Sequence, residues 1–290
     1  MALVCEDLAR YGVVLLPPST VEYFELLADI EQRLQTRPKG APPVPDGVIS
    51  RISEHDTSGS AILLNKADVA IAAMAYTWEG ALTCVPGTNP SVLLPFGRDE
   101  RGTKVDDYWN TIFPGSKRLM TCDGEVYGDN TDVRSPAADE LSRGGGWISA
   151  GGGRRPDRPK PTKLTLDGVF FVDGGFAGPN QLGSWEHTVC AAEAYLACAA
   201  LAKEARGSGM PPAEFFAHVQ TLTGQPDAGS IHPPRPYWRP SSLDPEAIRK
   251  SELQMAGWQV VSMRRSLGDD ATLARVAAWA DAPVRKFHKL

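Results

Sequence analysis

Glu186, His187, Cys190 and Glu193 fall within eight residues at spacings of three and four, which on a helix brings an imidazole, a thiol and carboxylates toward one face. Those groups are what proton transfer or metal binding requires. One histidine and one cysteine do not complete a metal shell, however, so a polar cluster anchoring the helix competes with any chemistry. Glu186 and His187 are the candidate catalytic residues, and no metal or other cofactor is expected. The other histidines, His55, His218, His232 and His288, sit in no nucleophile or metal pattern, and neither G-x-S-x-G nor H-E-x-x-H occurs.

Upstream, VFFVDGGFAGPNQLGSWEH passes from a strand through Gly174, Gly175 and Gly178 to a helix, the order in which backbone N–H groups meet a pyrophosphate. The spacing is not G-x-G-x-x-G, and a plain structural turn is the favoured account. The glycines from Gly144 to Gly153 lack the Lys-Ser or Lys-Thr of a phosphate loop. Asp123, Glu125, Asp129, Asn130 and Asp132 offer oxygen ligands without the order of a calcium loop, which reads as a polar turn.

Charge gives a different kind of signal. Between Ser142 and Lys163, Arg143, Arg154, Arg155, Arg158, Lys160 and Lys163 face one acid, Asp157, a balance of +5 in a chain whose net charge is −5. Such a segment, with Trp147 available for stacking, suits a phosphate backbone or an acidic partner, although a solvated loop has the same composition. PPRPYWRP adds Tyr237, Trp238 and Arg239, residue types that dominate interfaces, in a proline-rich arm suited to a neighbouring subunit or an adaptor contact. His288-Lys289-Leu290 matches a peroxisomal tail except at its first residue.

The elements that must position these residues follow from periodicity and turn chemistry. Ser19 and Glu22 form a capping box ahead of a helix whose face is Tyr23, Leu26, Leu27, Ile30 and Leu34, ending before Pro38. A proline-rich link leads to a short apolar stretch at Val48 to Ile52. A second helix is predicted from Asn65 to Glu79, apolar almost all round. Short strands are expected between Thr83 and Phe96, then a brief helix in VDDYWNTIF. Two hairpins are predicted at Asp123-Gly124 and Asp167-Gly168, each an Asp-Gly pair between apolar arms. Helices then follow at Trp185 to Arg206, closed by Gly207, at Pro212 to Leu222, from Asp244-Pro245 toward Ala256 with a continuation past Gly257 left open, and from Asp270 to Ala280.

This order implies a helix-dominated α+β fold with a few short antiparallel hairpins and long Gly/Pro-rich loops. One compact domain over 1–290 is expected, with subdivisions at 1–141, the basic loop 142–163, the hairpin and helices 164–224, the arm 225–240 and the closing helices 241–290. Apolar residues at 42% and charged residues at 22% exclude a chain disordered throughout. Five scattered cysteines without a C-x-x-C pair argue for free thiols in a reducing compartment. No signal peptide or long apolar run is found, which predicts an intracellular chain with no membrane contact.

No constellation forces one chemistry. The leading expectation is therefore a structural, self-assembling subunit of a coat or shell type that binds its own copies, and nucleic acid or an acidic neighbour through 142–163. An intracellular enzyme with a site around Glu186, His187 and the Gly174–Gly178 loop is the alternative, and an adaptor using the proline-rich arm the third.

Overall fold

A computed structural model of the chain describes residues 2–5, 7–35, 59–79, 112–121, 126–128, 162–224, 243–281 and 286–290. These fall into two compact units. One lies within Met1–Gly87, Asp106–Val172 and Ala177–Pro179, the other within Asp173–Phe176 and Asn180–Leu290. Helix makes up 53% of the described structure and the strands form small sheets, so the fold is helix-dominated α+β.

The first unit is built on sheets. Strands β2 (Val13–Leu16), β3 (Ser60–Asn65), β5 (Lys117–Thr121) and β6 (Val126–Gly128) pair antiparallel in that order. In a second sheet, β7 (Lys163–Phe171) pairs antiparallel with β4 (Ile71–Glu79) and parallel with β1 (Ala2–Val4). Alternation along β3 serves two cores. Ile62 joins Leu119 beneath α1 (Val21–Gln35), against Tyr23 and Leu26, while Ala61 and Leu63 enter the larger core with Tyr76, Trp78, Leu166 and Phe171. The Tyr23 hydroxyl and Ser60 hydroxyl share a buried hydrogen bond of 2.6 Å, which satisfies two polar groups on that face.

Several expectations are corrected here. In the segment predicted as a helix from Asn65 to Glu79, Asn65 ends β3, a turn follows, and Ile71–Glu79 is strand β4, buried on both faces for most of its length. Its alanines favour helix locally, but Ile71, Tyr76, Thr77 and Trp78 fit a pleated, covered surface better, and pairing with β7 decides the outcome. Asn65 does accept from a nearby backbone N–H as a cap would, with Oδ1 3.0 Å from Ala67 N. Its Nδ2 donates to Val69 O at 3.0 Å and Ile112 O at 2.8 Å, so it closes a turn between strands.

The Asp167-Gly168 hairpin is also replaced. β7 runs straight through this pair, and the register against β4 passes from Ala75↔Gly168 to Tyr76↔Leu166, leaving Asp167 as the extra residue of a bulge. For Asp123-Gly124, by contrast, the arms β5 and β6 pair as expected, with Met120 opposite Val126, while the turn itself lies outside the described residues.

Smaller shifts have local causes. α1 starts at Val21, because the Thr20 hydroxyl donates back to Pro17 O at 3.0 Å and Tyr23 N donates to Thr20 O, so Ser19 precedes the cap position. Tyr23, Leu26 and Leu27 face the core as expected, whereas the side chains of Ile30 and Leu34 lie outside the described set. Ile112, at the end of the helix expected in VDDYWNTIF, is extended and exchanges backbone hydrogen bonds with Ile71 of 2.8 and 2.9 Å. Phe113 O then accepts from Ser116 N at 3.0 Å, while Val105 to Thr111, Val48 to Ile52 and Thr83 to Phe96 lie outside the described residues.

The second unit is helical: α2 (Ser184–Ser208), α3 (Pro212–Thr223), α4 (Pro245–Leu267) and α5 (Asp269–Ala278), the last followed by a 3-10 turn at Trp279–Asp281. The small residues of α2, Ala191, Ala194, Cys198, Ala199, Ala202 and Ala205, are buried, and this smooth face meets Phe215, Phe216, Val260, Val276 and Trp279 of its neighbours. α2 passes Gly207 and closes at Gly209. α4 opens as predicted at Asp244, whose carboxylate accepts from Ala247 N at 3.0 Å, and runs on through Gly257. α5 begins at Asp269, one residue before the predicted start, because Arg264 of α4 grips that carboxylate through two bonds of 2.8 and 2.9 Å. Among the described residues no helix is long and apolar enough to cross a membrane.

Candidate functional site

The start of α2 gathers the residues that could do chemistry. Asn180, held at a positive φ of 58°, accepts from Trp185 N through Oδ1 at 2.9 Å and donates through Nδ2 to Glu186 Oε2 at 2.6 Å. Glu186 Oε1 in turn accepts from Lys289 at 3.3 Å. Burial alone pushes the Glu186 carboxyl up, but the bonds from Asn180, its own backbone N–H and Lys289 outweigh it and hold the group below its ordinary value.

His187 points elsewhere. Its Nδ1 lies 2.6 Å from Glu252 Oε1 of α4, and the two side chains are 13% and 8% exposed, so the pair is a buried link between helices. The carboxylate fixes the ring as the orienting acid of a catalytic dyad would. Nε2, the atom that would act on a substrate, is itself buried. Cys190 does not supply a thiolate either, because burial raises its thiol first and Glu193 raises it further, with Arg249 acting the other way and Glu252 and Glu186 adding to the rise. The remaining described thiols are more strongly suppressed, with burial pushing Cys5 to about 11 and Cys198 to about 12. Among the described residues no cluster of histidine, cysteine and acids could hold a metal ion.

Sequence reasoning thus brought Glu186 and His187 to one turn of helix but gave them a shared role, whereas their partners separate them. It missed Glu252, Asn180 and Lys289. Glu252 had a readable signal: it follows Ile248 by four residues and precedes Met255 by three, an acid on the buried face of an otherwise apolar stripe. The two ends of the Gly174 stretch are also resolved in role, since Gly174 and Gly175 sit against residues 286–290 and Gly178 against the bulge of β7.

Of the cationic set, Lys163 is described. It pairs across strands with Glu79 at 2.7 Å, at matched register positions. Arg143, Trp147, Arg154, Arg155, Arg158 and Lys160 lie outside the described residues, as do Tyr237, Trp238 and Arg239, the Gly144 to Gly153 run and the oxygen-bearing set Asp123, Glu125, Asp129, Asn130 and Asp132. Both members of the Lys163–Glu79 pair are well exposed, at 37% and 54%. Lys163→Ala is expected to lower stability by less than about 1 kcal/mol, read as the midpoint of urea unfolding, and a larger loss would show that the pair is better shielded than its exposure implies.

Compared with known protein families, with curated proteins and with solved structures, the chain matches none. Its class is given by the fold alone, an α+β protein with a sheet unit and a helical unit of four α-helices among the described residues.

Proposed function

We propose that this chain is a structural subunit that assembles with copies of itself in a coat or shell type of complex, with the cationic segment Ser142 to Lys163 directed at nucleic acid or an acidic neighbour. The observation that carries the reading is on α1. Its inner face holds Tyr23 and Leu26 in the core, yet Val21 and Phe24 on the outer side are 70% and 50% exposed, one turn apart on a single stripe. Large apolar side chains paired on an exposed helix face are suited to burial against another protein. The exposed carboxylate of Glu31, two turns beyond Phe24, complements the +5 charge of the cationic segment on a neighbouring copy, while Glu25 is already paired with Lys117 at 3.4 Å.

Light scattering coupled to size exclusion tests this directly. The wild type is expected to run as a multiple of 31.2 kDa, and Val21→Asp with Phe24→Asp is expected to release a folded monomer whose cooperative melting no longer depends on protein concentration. A wild type that stays monomeric at high concentration overturns the reading. Changing Arg154, Arg155 and Arg158 to Ala is expected to flatten the salt dependence of nucleic-acid binding, and an unchanged slope removes that part of the role.

The enzyme reading keeps one favourable observation, the carboxylate-oriented imidazole of His187. Its buried Nε2 and the protonated Cys190 weigh against it.

A further inference from the structure

Residues 286–290 form a strand, β9 (His288–Lys289), laid parallel against β8 (Gly175–Ala177), with His288 N donating to Gly174 O at 3.1 Å and Leu290 N to Phe176 O at 2.9 Å. The seat is shaped for this segment. A Cβ on Gly174, whose φ is 96°, would stand 2.7 Å from Lys286 O, and one on Gly175 would stand 3.4 Å from Leu290 Cδ1 and 3.5 Å from His288 Nε2. Only glycine at 174 lets the backbones approach. Side chains then read the sequence: Lys289 lies 5.5 Å from the centre of the Trp185 ring and 3.3 Å from Glu186, while Phe287 meets the same indole edge-on at 6.1 Å and Phe176 meets it at 5.6 Å. A strand edge supplies affinity through the main chain, and a cation held between an aromatic face and a carboxylate supplies selectivity.

We propose that this seat, the Gly174–Phe176 edge with Trp185 and Glu186, is a recognition site for an extended aromatic-x-Lys-aliphatic strand, and that in the assembly it takes the Phe287–Leu290 strand of a second copy. The seat itself defines the occupant, because its complementarity to this strand is already displayed within one chain. A neighbouring copy presents the identical strand and makes the identical bonds, so exchange forfeits no contact and is driven by concentration. The ion pair that closes the contact is exposed, at 53% and 36%, and Leu290 is still half exposed when seated, so the segment is held without being enclosed. This deepens the self-assembly reading by naming a second contact between copies, independent of the α1 stripe.

The test uses the wild-type chain. Unlabelled and nitrogen-15-labelled protein are mixed in urea, returned together to native buffer at high concentration, and treated with a carbodiimide, which condenses the Lys289 amine with the Glu186 carboxylate into an amide with loss of water. Mass spectrometry of the linked peptides is expected to show mixed-isotope pairs, approaching about half of the product when exchange is complete. Gly174→Val is expected to abolish both same-isotope and mixed pairs. Same-isotope pairs alone, absence of any Lys289–Glu186 product, or persistence of the link in Gly174→Val overturns the proposal. A chain that assembles by light scattering but gives same-isotope pairs alone keeps the self-assembly reading and loses exchange. Mixed pairs in a chain whose assembly ignores Val21 and Phe24 keep exchange and remove the role of α1.

Discussion

Replacing Gly178 by valine is expected to destabilise the sheet unit by about 3–5 kcal/mol, enough to consume much of the stability of an ordinary domain. Two costs add. Gly178 has a φ of 137°, which no side-chain-bearing residue adopts without strain. A Cβ there would also press on the backbone of β7, 2.5 Å from Gly168 Cα and closer still to the Asp167 carbonyl. Backbone at a bulge does not swing aside as the tip of a flexible side chain does, so β7 would have to shift against β4. Gly224→Ala is the control: its φ of 63° carries the same kind of strain, but nothing lies within 4 Å, and the expected cost is about 1 kcal/mol. Hydrogen exchange in β4 and β7 should quicken strongly for the first variant and stay unchanged for the second. Protection in β7 that survives Gly178→Val would mean the bulge is more pliable than its geometry indicates.

The same glycine shows what the sequence did and did not disclose. Helices were legible wherever a local signal and the burial pattern agreed: Asp244-Pro245 opens α4, and Pro212 opens α3, because a cap and a fixed φ act within one turn. Strands were legible only where polar residues break the apolar run. β4 is covered on both faces, so no alternation marks it, and its period does not distinguish it from a buried helix. Asp167-Gly168 carried a hairpin signal that is local, whereas the bulge it makes depends on β4 and Gly178, which are distant in sequence. At the site, Glu186 and His187 were found through i, i+3 and i+4 spacing, a local property. Their partners, Glu252 at a separation of 65 residues and Lys289 at 103, are not encoded by any spacing.

Lys289 also makes acid a useful probe. Because the Glu186 carboxyl is held below its ordinary value, its contribution is fully present above the unfolded-state value and is lost as pH falls through the lower, folded one. Glu186 is 36% exposed, so the effect is screened and stays within about 1 kcal/mol. The melting difference between wild type and Glu186→Gln is expected to be constant near neutrality and to close in strong acid. A difference that persists at pH 2 would assign the effect to packing instead of charge.

The second large effect is expected at Glu252. Glu252→Ala strips the carboxylate from His187 Nδ1 at a site where both side chains are nearly covered, and a loss of about 2–4 kcal/mol follows from breaking a buried pair on one side. Glu252→Gln keeps an oxygen in place to accept from the ring and should cost about 1 kcal/mol. Replacing both residues together, His187→Leu with Glu252→Leu, removes the two polar groups at once and is expected to fall well short of the sum of the single losses, because neither partner is left stranded. That non-additivity separates two meanings of the pair. A link that ties α2 to α4 is rescued by the double replacement, as read by urea unfolding of the helical unit. If the double variant is as unstable as the sum of its parts, the imidazole and carboxylate are held by their other surroundings and not by each other, and the helix-linking role fails. Because Nε2 is covered, the single variants should act through α2 and α4, with protection from exchange lost along both helices.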